Sequence, residues 1–171
     1  MKIQILDKAK KKKFISGVSE FGLSKIPQLL IRTGTERIRA YSGNLSTEEI
    51  MAIWRLLPIE GVGLYVGKES MNRNGVRETR LSLDGLHIWA SQLTSKIIIL
   101  DEEQEKDWFF GKNMYLSDSQ VSLIGDLKGF FIVKSSDGKD FIGTGKLGLE
   151  GDKNVLFSFL PKERRRKSMI I

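Results

Sequence analysis

Through the first half of the chain the apolar positions switch between two periods. Gln28–Thr33 and Arg37–Ser42 alternate apolar and polar residues on either side of Gly34 and predict two strands of a hairpin. Ser46-Thr-Glu-Glu49 is a capping box that starts a helix running to about Leu57, where Pro58 stops it. Ile50, Ile53, Trp54 and Leu57 fall at helical spacing and give that helix one apolar face. Glu60–Lys68 alternates again as a strand, Arg77–Leu83 is another, and Leu86–Leu93 predicts a short buried helix. Residues Phe14 to Ile26 predict an N-terminal helix, weakened by Gly17 and Gly22.

The second half has a different rhythm. Lys96–Leu100 is a buried strand, and Asp101–Phe110 is one short acidic helix with Gly111 as its C-cap. Met114–Leu116, Gly129–Lys134, Phe141–Leu147 and Val155–Leu160 are strands, and Asp137-Gly138 is a strong hairpin turn signal. Seven of the 17 glycines lie between Gly125 and Gly151, so short strands and tight turns with one helix predict a small β-barrel. The expected fold class is α+β, with a mixed α/β domain over residues 1–94 and a β-barrel domain over 95–171.

Composition removes several chemistries. The chain has no cysteine and one histidine, His87. Disulfides, thiolate zinc sites, iron–sulfur clusters and cysteine nucleophiles are therefore excluded. His87 lies between Leu86 and Ile88 and reads as a helix-packing residue. Gly143-Thr-Gly-Lys-Leu-Gly148 matches the dinucleotide-binding pattern, but the residues after it cannot open the helix whose N-terminus would face a phosphate. Gly61–Lys68 resembles a phosphate loop only loosely, with Glu69 where Ser or Thr would hold magnesium. No carboxylate pair suits acid–base catalysis. No catalytic residue, metal or cofactor is expected. The longest purely apolar run is Ile97–Leu100, so no membrane span and no signal peptide are expected, and the expected location is the cytoplasm.

Charge points toward a polyanion. The net charge is +7, from 28 Lys and Arg against 21 Asp and Glu. Its distribution is uneven: acidic residues gather at Asp101–Asp107 and basic residues at Lys162, Arg164, Arg165, Arg166 and Lys167. Lys10–Lys13 reads as a flexible or solvated basic arm. Arg37 and Arg39 share one strand face and lie beside Arg32, forming either a second basic patch or an exposed sheet face. Trp54, Trp89 and Trp108 sit among apolar neighbours and read as core residues.

The segment Lys96–Leu116, with its strand, short helix ending in Trp-Phe-Phe-Gly and following strand, resembles the opening of a PUA domain, an RNA-binding module. Gly129–Lys134 and Asp140–Lys146 resemble its central hairpin. Phe159–Arg166 resembles the basic tail of the PUA-like domain associated with Fmu/Sun-type RNA 5-methylcytosine methyltransferases. The first half resembles the α/β domain that precedes PUA in Nip-type ribosome-biogenesis proteins. That resemblance implies a pre-PUA domain followed by a PUA-like barrel, and a non-enzymatic role in ribosome biogenesis or in rRNA or tRNA modification. It implies an RNA surface built from Phe110, Gly111, Lys112 and Asn113; from Gly143, Gly145 and Lys146; and from Leu160, Pro161, Lys162, Arg164, Arg165 and Arg166. Its glycines would let backbone N–H groups approach the RNA, and the acidic helix face at Glu102, Glu103 and Glu105 would point away. The implied partner is rRNA or tRNA. The alternative role is an adaptor that docks on a ribosome-assembly factor or an RNA methyltransferase. The absent cysteine separates this chain from the catalytic methyltransferases themselves.

Overall fold

The computed structural model describes residues 2–57 and 59–167, so Pro58 lies outside the described residues. The chain forms two compact units, Met1–Leu93 and Thr94–Ile171.

The first unit is an antiparallel five-stranded meander, β1 (Ile3–Ile5), β2 (Leu29–Thr33), β3 (Arg37–Tyr41), β4 (Leu64–Met71) and β5 (Arg77–Leu81), paired in chain order. Helix α2 (Thr47–Leu56) begins at the Ser46 capping box, in which the Glu49 carboxylate accepts from Ser46 N–H and Ser46 Oγ from Glu49 N–H. Its Ile50 is buried with Ile3 and Ile31, and half-buried Trp54 packs against this cluster. Leu57 is exposed rather than part of the apolar face.

Helix α1 (Lys8–Val18) lies on the opposite face of the sheet, where Gly17 meets Thr79 of β5. The helix starts earlier than the sequence pattern suggests. Five lysines in the first six residues of this helix oppose the macrodipole, but Asp7 caps the helix by accepting from Lys10 N–H at 2.9 Å. Phe14 and Val18, one turn apart, are fully buried. Lys10–Lys13 is thus helical rather than a flexible arm, and Lys11 Nζ donates to the Gln28 carbonyl at 2.8 Å. Helix α3 (Leu83–Ile88) starts at Ser82 and packs on β4 through Leu86 and Gly85. Phe14 and Trp89 meet ring to ring, 6.4 Å between centroids. His87, expected to pack, is exposed, because the adjacent Leu86 takes the buried side of the helix. Strand β4 begins four residues later than the alternation suggests, because Gly63 adopts a left-handed backbone (φ +86°) that ends the approach loop.

The second unit is a five-stranded curled sheet in the order β6 (Ile97–Ile99), β8 (Phe130–Lys134), β9 (Phe141–Glu150), β10 (Lys153–Ser158), β7 (Met114–Tyr115). β6 pairs parallel with β8, and the other neighbours are antiparallel. Helix α4 (Glu102–Phe109) joins β6 to β7, and α5 (Asp118–Ile124) joins β7 to β8. Helix α5 is not among the elements the sequence pattern predicts, although Ser117 and Gln120 form a capping box ahead of Val121 and Ile124. The core holds Ile98, Leu100, Trp108, Met114, Ile124, Phe131, Val133, Ile142, Leu156 and Leu160.

The sheet is a half-barrel rather than a closed barrel, since its edge strands β6 and β7 do not pair with each other. Two glutamines fill the gap. Gln104 and Gln120 are the third residues of the two capping boxes, and each side-chain oxygen accepts from the backbone N–H of its own cap, Asp101 or Ser117. Their amides bond reciprocally, at 3.0 and 2.8 Å. Gln104 Nε2 also donates to Tyr115 O of β7 at 2.9 Å, and Gln120 Nε2 to Ile99 O of β6 at 2.8 Å. Each amide thereby uses both donors, and the two edges are joined through side chains.

Candidate nucleic-acid interface

The end of α4 organises this surface. Trp108 is fully buried and its indole N–H donates to Ile142 O at 3.0 Å, which fixes the last turn against β9. Gly111 then reverses the chain with φ +76°, a conformation suited to glycine. Phe110 is left 43% exposed, and Lys112 and Asn113 lie at the surface.

The chain exit folds back onto this same place. A short 3-10 turn, Lys162–Arg164, follows Pro161. The Arg165 side chain lies against Gly111, in the space a Cβ would fill, and its Nε donates to Leu160 O at 3.1 Å. Arg166 N–H donates to Phe109 O at 2.7 Å, satisfying a carbonyl of the last helical turn, and its guanidinium sits 5.1 Å from the Phe109 ring centroid. Asn113 Oδ1 accepts from Ser158 N–H at 3.1 Å and ties β10 to the same surface. The fold thus brings Phe110–Asn113 and Pro161–Arg166 together. Lys162, Arg164, Arg166 and Lys167 are exposed around them, with Glu163 the one acid in the run. Lys112 is 2.7 Å from Asp107, which offsets part of its charge.

Other candidates take different places. Gly143, Gly145 and Leu160 are buried. A Cβ at Gly143 would lie 2.9 Å from the Trp108 ring, and one at Gly145 would meet the Leu156 side chain. Both glycines therefore admit core side chains on their Cβ side and are buried rather than at the surface. Arg165 is likewise a packed residue rather than part of a solvated tail. Lys146 is half-buried, its Nζ 5.4 Å from the Phe130 ring centroid, and that ring makes an edge contact with Phe159, which is 39% exposed. Phe159 and Phe109 lie outside the surface the resemblance implies; their contacts, with the Phe130 ring and the Arg166 guanidinium, join residues distant in sequence and leave no periodic signal.

The acidic flank of α4 is partly committed. Glu105 accepts from Ser136 N–H at 2.6 Å, and hydrogen bonding from Ser136 holds its carboxyl below the usual carboxylate range. Glu102 and Glu103 are exposed.

In the first unit, Arg39 is not a free surface cation. It packs against Gly61 and donates from Nη1 to Gly63 O at 2.9 Å. Arg32 pairs with the buried carboxylate of Glu69. Among the described residues no three His, Asp, Glu or Cys side chains converge to hold a metal, and no helix is long and apolar enough to cross a membrane.

No protein-family model matches the chain, and no curated protein matches it. Among solved structures it is similar to one described as a conserved PUA domain protein from Thermoplasma acidophilum. The match has 17% sequence identity and a TM-score of 0.58, and covers 95% of this chain and 96% of the other. The chain therefore has an α+β, PUA-like fold, shared across nearly its whole length with that protein.

Proposed function

We propose that this protein is a non-catalytic RNA-binding protein whose second unit holds structured rRNA or tRNA during ribosome biogenesis or RNA modification. The observation that carries this reading is the convergence of the α4 end and the chain exit into one exposed basic surface. Phosphate recognition needs cations held in place, and Arg165, Arg166 and Asn113 anchor the segments that carry Lys112, Lys162 and Arg164. Arginine forks suit phosphate oxygens and the faces of unpaired bases, and exposed Phe110 adds an apolar ring beside them.

The test is binding of the full chain to bulk tRNA and to rRNA fragments over a salt series. Each neutralised phosphate contact releases counterions, so affinity should fall steeply with salt. The triple variant Lys112→Gln, Lys162→Glu, Arg164→Gln should lose most of this affinity with only a small change in thermal midpoint, because all three side chains are exposed and surface ion pairs contribute little. Unchanged affinity would overturn the surface. Recovery from cells of an RNase-resistant protein partner, with no RNA, would overturn the reading in favour of an adaptor.

A further inference from the structure

The sheet of the first unit holds a buried carboxylate that is only half used. The Glu69 side chain, on β4, is 5% exposed. Its register partner is Thr79 of β5, so alternation along β5 puts Arg77 on the same face. Arg32 of β2 donates from Nη2 to one carboxylate oxygen, Oε2. The other oxygen, Oε1, has no hydrogen-bond partner. Arg77 Nη1 is 3.5 Å from it, close enough for an ion pair but not hydrogen-bonded. The Thr79 hydroxyl lies against Gly17 of α1 and does not reach the carboxylate. Arg32 Nε is buried and unpartnered too. Buried ionised groups ordinarily have their hydrogen bonds made. The Arg32 pair accounts for Oε2 and leaves Oε1 with nothing in the fold to satisfy it.

Arg32, Glu69 and Arg77 line a cleft of about 350 Å³, together with Glu36, Ser70 and Met71. That volume lies in the range of small-ligand clefts, about 300–1,000 Å³. Glu36 is ion-paired with Lys68 at 2.9 Å, so its charge is offset. Two guanidinium groups against the Glu69 carboxylate then leave one net positive charge. The cleft thus offers an acceptor at Glu69 Oε1, a cation at Arg77 on its exposed side, and an exposed apolar side chain, Met71, at its rim. A ribose carrying a 3′-phosphate matches this set. Its 2′-hydroxyl both donates and accepts, so it can donate to Oε1 and accept from an arginine, and a carboxylate binds ribose hydroxyls in this way in dinucleotide sites. The phosphate sits on the adjacent ring carbon, as Arg77 sits beside Oε1, and an arginine fork suits it. Because Arg77 is exposed on a long side chain, it can swing from Oε1 onto the phosphate without moving the sheet.

We infer that the Arg32–Glu69–Arg77 cleft binds one unpaired ribonucleotide of an RNA strand, with Glu69 accepting from the 2′-hydroxyl and Arg77 holding the 3′-phosphate. The choice of ribose rests on the RNA-binding reading above. The cleft adds to a surface that attracts phosphate a contact that tells RNA from DNA.

The experiment titrates the full chain with oligouridylate, with its 2′-deoxy counterpart and with uridine 3′-monophosphate, following the backbone amide signals of β4 and β5 by NMR. Oligouridylate should shift these signals and bind about tenfold more tightly than the deoxy strand, the order expected for one hydrogen bond to a charged group. Arg77→Gln, at an exposed position, should weaken both strands alike. Arg32→Met/Glu69→Met replaces the buried pair by apolar groups of similar volume and leaves no buried charge unpaired, and should bind the two strands equally. Equal affinity of the wild-type chain for the two strands overturns the site, and that comparison needs no variant to fold. A ribose preference that survives in the methionine variant also overturns it. Uridine 3′-monophosphate bound as tightly as the oligonucleotide assigns the cleft to a free nucleotide and overturns the inference as stated. If the site fails while the wild-type chain still binds tRNA through Lys112, Lys162 and Arg164, the first reading stands; absence of any RNA binding overturns both.

Discussion

Replacing Gln104 by Glu separates two roles that this residue combines. As the third residue of a capping box, Glu serves as well as Gln and interacts better with the helix N-terminus. If capping were its whole contribution, Gln104→Glu would be neutral or slightly stabilising. In the structure the Gln104 amide also donates to Tyr115 O and to Gln120 Oε1, joining the open edges of the half-barrel. A carboxylate cannot donate either bond and would face two acceptors instead. At about 1 kcal/mol per net hydrogen bond, with a further cost for partly buried acceptors left unpaired, the substitution should destabilise the second unit by about 2–3 kcal/mol. For a unit of this size each kcal/mol moves the thermal midpoint by roughly 4–8 °C. Gln120→Ala should cost a similar amount. The pair Gln104→Ala/Gln120→Ala should cost about 1–2 kcal/mol less than the sum of the singles, because the first substitution already removes the reciprocal bonds. Urea unfolding read by hydrogen exchange in peptides from residues 94–167 confines the measurement to this unit. A Gln104→Glu variant as stable as wild type, or an additive double variant, would refute the bridging argument.

Four further outcomes follow from the geometry. Gly143→Ala places a Cβ 2.9 Å from the Trp108 ring at a backbone φ of +151°, and should cost about 1–3 kcal/mol, read as a lower urea midpoint; an unchanged midpoint would mean that the ring has room to move. Arg165→Ala removes the bond to Leu160 O and the aliphatic packing over Gly111, and should lower stability by about 1–2 kcal/mol. Lys162→Gln should leave stability unchanged and reduce RNA affinity, and equal stability losses in these two variants would contradict the distinction between packed and exposed cations. Glu105 and Asp137 both have carboxyls held low in the folded state, through Ser136 and Ser135 respectively. Their stabilisation is present above the ordinary carboxylate pKa of about 4 and is lost as pH falls through the lower folded values. Glu105→Gln should therefore show a shallower acid loss than wild type in urea midpoints between about pH 6 and 3, and parallel curves would discount this contribution.

Much of the fold was legible because its signals are local. The Ser46 capping box, the Asp101–Phe110 helix with its glycine cap, and the Asp137-Gly138 turn depend on residues within a few positions of one another, and each appears in the structure where it was expected. Helix α5 carries the same kind of signal in Ser117 and Gln120 but is too short for its apolar spacing to stand out. The start of α1 was hidden because Lys10–Lys13 opposes a helix N-terminus electrostatically, and the burial of Phe14 and Val18 outweighs that cost only once a sheet is there to receive them.

By itself, then, the sequence determined most of the elements, though not β1 or α5, together with the net charge, the absence of thiol chemistry and the basic run at Lys162–Lys167. Only tertiary structure decided which of those charges are packed and which are exposed. Arg165 and Arg164 are neighbours in an unbroken basic run, yet one fills the space over Gly111 and the other is exposed. Gly143 reads as a place for a ligand to approach, but the buried Trp108 ring occupies that side. Arg32, Glu69 and Arg77 come from three strands and are brought together only by the pairing of the sheet. The physical reason is common to all three: a side chain's exposure and charged neighbours are set by long-range pairing, which leaves no period in the sequence around it.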